Sequence, residues 1–406
     1  MPSVSTRTAW LVLSTVPSLV GCGTASNDDD GAVRRDSAGV VIVENTGEDR
    51  PLPWSYEISY RLGGEPDGPE QFYQVEAQQV ATDSSGNIHV LDAINHRVIK
   101  FDRDGDVQWM AGTEGGGPGE FRRPLRIRVD HAGTVYVMDY GKKALVQFDS
   151  AGTPIGQTPY GSLGDAIPTR YGTFGSRRDF QREGGMVDEI VKANASDTVG
   201  LLESPVVPIA SYRLEGCGFP LGRTGPVIFG KETDWSVSGR TMTVSTTAAY
   251  TVDMLNLETG MVEGIVRRSL PSLPATETLA IEWATINKPG RIMRSDGGEC
   301  VPPAEEVVEK QGMADSLPMI DEVQIDRRGR LWVQRFAIDS TLARIDVFDP
   351  EGVYLGTLPE GHPWPVAFAP PDRILFVEQD DMDIQRLVIA DLVTDERGVR
   401  MGEPSN

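Results

Sequence analysis

Two stretches of this chain are copies of one another. The run from Val80 to Asp92 reads VATDSSGNIHVLD, and the run from Ile127 to Asp139 reads IRVDHAGTVYVMD. Asp83 and Asp130, Gly86 and Gly133, Asp92 and Asp139, Phe101 and Phe148, and Gly105 and Gly152 each lie 47 residues apart. Five landmarks at one offset mark a structural repeat, which constrains a fold more tightly than composition does. A third copy runs from Val323 to Val333 and resumes from Ile345 to Gly352; its Asp326-to-Asp349 gap is four residues longer than that from Asp83 to Asp102. The surplus is expected to enlarge one turn.

Within a copy, Leu125, Ile127 and Val129 alternate with polar neighbours, and Asp130 to Gly133 supplies a side-chain acceptor and a glycine tolerant of positive φ. Val135 and Val137 continue the alternation to a turn near Tyr140, and Ala144, Val146 and Phe148 form the next strand, up to a turn at Ser150 to Gly152. Each repeat is therefore a four-stranded antiparallel meander of about 40–50 residues. Such a meander cannot cover both its faces alone, whereas copies packed radially cover each other and leave only short edges. The 44 glycines and 28 prolines fit a turn-rich chain and exclude a helical bundle.

The string Gly115-Gly116-Gly117-Pro118-Gly119-Glu120-Phe121, the spaced set Asp92, Asn95, Arg97, Val98, Phe101 and Asp102, and Gly329 to Val333 followed by Val347-Phe348-Asp349 resemble NHL-type repeats. The likeness is to those of six-bladed β-propeller lipoproteins of environmental bacteria, and it is concentrated over 63–155 and 320–357. It implies an all-β fold: a six-bladed β-propeller of four-stranded antiparallel blades. Blades are expected at about 72–110, 121–160, 168–215, 226–268, 320–358 and 363–392, the sixth completed by the early strand Val40 to Val43. Between blades four and five, Ala275 to Ala284 and Pro303 to Lys310 read as helices, with Leu279, Trp283, Val307 and Val308 as apolar positions. This small helical insertion, at about 272–318, either shapes a binding surface on one rim or caps exposed apolar area.

Residues 1–21 read as an export signal. They carry one charge, Arg7, and an apolar run broken by Pro17, too short to span a bilayer. Leu19-Val20-Gly21-Cys22 resembles the bacterial lipobox, and that resemblance implies that Cys22 is the acylated first residue of a lipoprotein anchored to a membrane of the cell envelope, facing the periplasm or the exterior. The alternative is an ordinary secretory signal. Residues 22–38 then form a flexible acidic tether, 39–395 the propeller and 396–406 a tail. Asp28, Asp29 and Asp30 lack the ligand spacing of a calcium loop. Cys217 and Cys300 are expected to form one disulfide, since an exported protein meets an oxidising compartment.

With 38 basic against 60 acidic side chains and a net charge of −22, the chain is repelled by phosphate backbones, so no nucleic-acid partner is expected. The four histidines, His89, His96, His131 and His362, form no metal-ligand spacing. The glycine run at 115–119 lacks the lysine of a phosphate-binding loop and is read as a turn. Asp92, Asn95 and Arg97 look like a site but are read as a brace, with Asn95 in the left-handed turn. Asn194 heads an uninformative sequon, and Asp380, Asp381 and Asp383 form an acidic turn. No catalytic residue, cofactor or metal ligand is assigned. The expectation is a monomeric module binding a protein or carbohydrate partner at one mouth of the ring. The alternatives are a metal-dependent propeller enzyme, lactonase- or lyase-like, with its site in the central channel, or a structural envelope component.

Overall fold

Aspartate-led turns set the strand ends. The computed structural model describes residues 26–27 and 31–394, apart from 65–70, 73, 162, 194–197, 215–220, 247, 290 and 294–298. In it Asp83 Oδ1 accepts the backbone N–H groups of Ser85 and Asn87 at 2.9 and 3.0 Å. Asp130 Oδ1 does the same with Ala132 and Thr134, both at 2.9 Å. Asp102, Asp149, Asp326 and Asp349 repeat the device. Three residues after each aspartate stands a glycine, and Gly86 and Gly133 sit at φ +87° and +81°, where a Cβ is strained.

These turns, two each in blades one, two and five, belong to a ring of six blades, each of four antiparallel strands. Their strands span Val80–Ala111, Pro124–Pro159, Asp165–Glu203, Asp234–Arg268, Ile320–Thr357 and, for blade six, Ala367–Val393 together with Ser55–Leu62. Neighbouring blades bury their faces against each other all the way round. Leu91 and Val98 of blade one meet Ile127, Val137 and Val146 of blade two. Leu145 and Val191 join blades two and three, Phe174 and Val244 three and four, Val252 and Val333 four and five, Trp332 and Val388 five and six. Leu375 and Leu387 of blade six pack on Val90 and Ile99 of blade one, so the ring is closed.

The closing strand is not the expected one. Ser55–Leu62 completes blade six, antiparallel to Gln385–Val393 with Leu62 opposite Leu387. Val40–Asn45 instead pairs in parallel with Met261–Arg268 on the outer edge of blade four, and Ala32–Ser37 pairs with it in turn. The last part of the expected tether, 32–37, is thus a strand. Val40 to Val43 is a continuous apolar run and Ser55–Leu62 alternates, both strand patterns; what separates them is the length of chain needed to reach blade six, which patterning does not encode. Blade three also ends earlier than expected: after Glu203 the chain leaves to form a separate hairpin, Ile209–Leu214 with Leu221–Pro226.

An ionic network ties the segment between these two strands to blades four and five. Asp346, fully buried, accepts from Arg268 Nη1 and Arg335 Nε, both at 2.8 Å, from Tyr250 Oη at 2.7 Å and from Thr357 Oγ1 at 2.6 Å. Asp49 accepts from Arg335 and Arg268 at 2.6 and 2.7 Å and from Arg344 at 2.7 Å. The bond from Arg335, helped by Arg268, holds the Asp49 carboxyl well below its usual range.

Because every blade has four antiparallel strands, the chain enters and leaves it on the same side. Turns between second and third strands, and the links between blades, therefore share one face of the ring, the entry face. The aspartate turns above lie on the opposite, exit face. The insertion springs from the entry face as α1 (Glu277–Asn287) and α2 (Ala304–Gln311). Thr276 caps α1, its hydroxyl accepting the Leu279 N–H at 3.3 Å. Val307 and Val308 are buried against Leu214, Ile228 and Phe229, with Leu279 and Trp283 at the margin. The surplus in the third sequence copy is the turn at 336–344, and no helix among the described residues is long and apolar enough to cross a membrane.

Two outcomes follow. A chain starting at Thr46 should keep a single cooperative thermal transition, whereas one starting at Gly63 should lose it because an inner edge is left unpaired; circular dichroism melts separate the two. Asp346→Ala should cost about 3–5 kcal/mol in urea unfolding, since it strands buried arginine charge.

Candidate functional site at the channel mouth

The six innermost strands surround a central channel of about 970 Å³. Strand alternation forces half of each inner strand to face this lumen, where no neighbouring blade can cover it, so the lining is polar. On blades two and three, Asp165 receives Arg126 Nη1 at 3.3 Å and Arg128 Nη2 at 3.6 Å. Burial lowers the Arg128 pKa, and Asp165 opposes that effect. Arg178 bonds both oxygens of Asp188, at 2.7 and 3.1 Å, and reaches Glu232 at 2.6 Å. Toward the exit, Arg327 donates to the Phe368 carbonyl at 3.1 Å and the Thr82 carbonyl at 2.7 Å, stapling blade five to blades six and one.

A less balanced group stands where the inner strands of blades four and five begin. Asp234, Asp321 and Glu322 lie near one ammonium, Lys231, whose Nζ donates to the backbone carbonyl of Asp321 at 3.2 Å. Asp234 accepts the Val323 N–H, and Glu322 accepts the Trp364 indole N–H at 2.6 Å. Asp234 and Glu322 line the channel, Asp234 half-buried and Glu322 exposed on its open side, whereas Lys231 and Asp321 are half-buried beside them and are not part of the lining. Burial pushes Asp234 up to about 6 and Glu322 up to about 7, the Asp234 charge adding to the latter. Burial also raises Asp321 and lowers Lys231. Groups displaced toward neutrality inside a cavity mark a candidate functional site. Among the described residues, no three His, Cys, Asp or Glu side chains are grouped so as to hold a metal ion.

The residues singled out in the sequence lie elsewhere, apart from His131, which lines the channel at its exit end. His89 is fully buried with its ring 5.9 Å from that of Trp109, and burial drops its pKa to about 4. His362 is wedged between Tyr56 and Trp332. Asp92 accepts from Asn95 Nδ2 at 2.8 Å and Arg97 Nε at 2.9 Å, while Arg97 Nη2 reaches the Gln71 carbonyl at 2.6 Å; this is a brace. The left-handed residue there is His96, at φ +54°, not Asn95, and Lys143 repeats it 47 residues on at φ +54°. Asn95 keeps an ordinary φ because its amide is bonded back to Asp92.

The glycine run is the link between blades one and two, and Asp380 caps its own turn at Met382 and Ile384. Cys300 is disulfide-bonded; Cys217, Cys22 and Asn194 lie outside the described residues. Sequence reading missed Lys231, Asp234, Asp321 and Glu322. Their one signal is polarity at the start of an inner strand, which is visible only once the blades are in register.

Residues 70–160 match a family described as a 6-bladed beta-propeller. This chain is a six-bladed β-propeller, and over residues 70–160 it is similar to that family. NHL repeat-containing protein 3 of Homo sapiens is 33% identical over 86 residues and that of Mus musculus 31% over 86 residues. The match covers 20% of this propeller chain and 22% of each relative, about a fifth of their length. The crystal structure of a protein from Bacteroides fragilis shares the fold, with a TM-score of 0.50 at 9% identity, covering 87% of this chain and 100% of the other.

The raised carboxylates of the propeller channel give a signed expectation. A folded-state pKa above the unfolded one favours folding while the group is protonated, and that advantage is lost as pH rises through about 7 for Glu322. Glu322→Gln should therefore raise stability at pH 8 by about 1 kcal/mol, a value discounted for channel water, and change nothing at pH 4. Urea unfolding of both proteins at the two pH values checks it.

Proposed function

We propose that this propeller is a binding module of the cell envelope, held to a membrane through an acylated Cys22 and receiving its protein or carbohydrate partner at the entry mouth of the channel. The observation that carries the reading is the group of Asp234, Asp321 and Glu322 around Lys231, set in a cavity of ligand-binding size. Their charges are incompletely matched within the chain, so a bound partner can complete what folding leaves open. The insertion rooted on the same face supplies further surface around the mouth. The lipobox-like Leu19 to Cys22 supports the anchor.

A propeller enzyme is the second reading, favoured by the same observation: a carboxyl titrating near 7 is suited to proton transfer. A stoichiometric ion in the purified protein would favour its metal-dependent form.

Two measurements test the first reading. Cys22→Ser should move the protein from the membrane to the soluble fraction, and a mutant still in the membrane fraction removes the anchor. Asp234→Asn combined with Glu322→Gln should weaken capture of the partner from envelope extracts or a glycan array at least tenfold; undiminished capture removes the channel mouth as the site.

A further inference from the structure

The exposed large apolar side chains are distributed unevenly between the two faces. Ile94, Tyr140, Phe180, Leu342 and Met382 are 47–74% exposed. Each stands in or beside the connection between the second and third strands of blades one, two, three, five and six. All five connections are on the entry face. Val206, in the link after blade three, and Leu273, Ile286, Val301 and Met313 of the insertion are exposed on elements rooted there. The remaining large apolar side chains with such exposure lie on outermost strands: Val107, Ile155 and Met261 directly after exit-face turns at the outer rim, and Val41, Ile58, Met110 and Val199 elsewhere on these strands. Among the described residues none occupies an exit-face turn. Those turns carry Asp102, Asp104, Asp106, Asp149 and Glu351 instead.

Inside this apolar circle opens the channel mouth, lined by the carboxylates of Asp234 and Glu322, with Asp321 and Lys231 beside them. Of the other charges lining the channel, Arg178 is paired with Asp188 and Glu232, and Arg126 and Arg128 with Asp165; on the rim, Arg123 lies over the Tyr140 ring at 5.1 Å and Lys142 bonds the Gly117 carbonyl. The unmatched charge is negative. An apolar rim around an anionic pit is the complement of a protein surface that presents a basic side chain from an apolar patch. A neutral carbohydrate could hydrogen-bond the carboxylates but would leave the aliphatic tips Ile94, Leu342 and Met382 uncovered and the negative charge unmatched, and a nucleic acid would be repelled by it.

We propose that the partner is a protein, and that it seats a lysine or arginine side chain in the entry mouth between Asp234 and Glu322 while its apolar surface rests on Ile94, Tyr140, Leu342 and Met382. This rests on the channel-mouth reading above and narrows it to one class of partner. The inserted cation would stand between the half-buried Asp234 and the exposed Glu322, and beside Asp234 a charge pair is stronger than in bulk water. The apolar tips would exclude water around it.

Photo-crosslinking in the cells that make the protein tests this. A photoreactive residue is placed at Leu342 or Met382 on the entry face, or at Asp104 or Glu351 on the exit face. The expected result is one protein band captured from both entry positions and from neither exit position, reduced at least fivefold when Asp234→Asn and Glu322→Gln are present. In the purified chain, Nα-acetyl-lysine amide and acetyl-arginine amide should shift the Trp364 indole resonance of the wild type and leave that of the double variant unmoved, whereas the neutral acetyl-leucine amide should shift neither. Equal capture from exit positions, capture that ignores the carboxylates, or an indole resonance unmoved by both cations would overturn the proposal. Binding of a glycan abolished by the double variant would overturn it too, while leaving the channel mouth as the binding site.

Discussion

A four-stranded blade that is apolar on both sides has no stable existence alone, and every other feature of this protein answers that constraint. Val90, Val98 and Ile99 lie in one short stretch of blade one. They point alternately to its two faces, so blade one needs a neighbour on each side. The requirement passes from blade to blade until Leu375 and Leu387 return it to blade one. Closure is therefore obligatory. A linear array would leave two large apolar faces in water, each burying nothing of the roughly 25 cal/mol per Å² that contact supplies.

The same geometry makes the channel polar. Side chains on the faces of a blade are covered by neighbours, but those on its innermost edge meet only other inner edges across the lumen, at a distance set by six-fold packing. Charges placed there are half desolvated, and the chain neutralises most of them pairwise, as with Arg178, Asp188 and Glu232. Burial raises Glu322 and Asp234, and neighbouring carboxylate charge adds to the rise that Lys231 only partly offsets. A fold built for stability alone could place leucine or threonine at such positions, so the retained carboxylates are better explained by a ligand than by the core.

The repeat was legible because turn chemistry and strand alternation are local. Asp83 with Gly86 and Asp130 with Gly133 bond as an aspartate turn demands, and the alternation of Ile127, Val129, Val135 and Val137 gives the blade. Two things were not legible. The choice between Val40–Asn45 and Ser55–Leu62 as closing strand depends on chain reach and on the Asp49 network, which joins residues more than two hundred positions apart. The site was hidden for a related reason: Lys231 and Asp321 come together only because two blades stand side by side, and no spacing in the sequence records that.

The two faces of the ring have divided the work. Exit-face turns close hairpins and are held to a few residues by the aspartate bonds and the left-handed glycine, so a longer loop there would break the geometry that starts the next strand. Connections on the entry face also use aspartate bonds, at Asp92, Asp139, Asp339 and Asp380, but their lengths are not held to one pattern. There the chain accommodates the long turn at 336–344, the extended hairpin of Gly172–Arg182 with Gly185–Ala193, the separate hairpin after blade three and both helices. Elaboration, exposed apolar tips and uncompensated charge thus fall on one face for a single physical reason: it is the face whose loops can change without disturbing the ring.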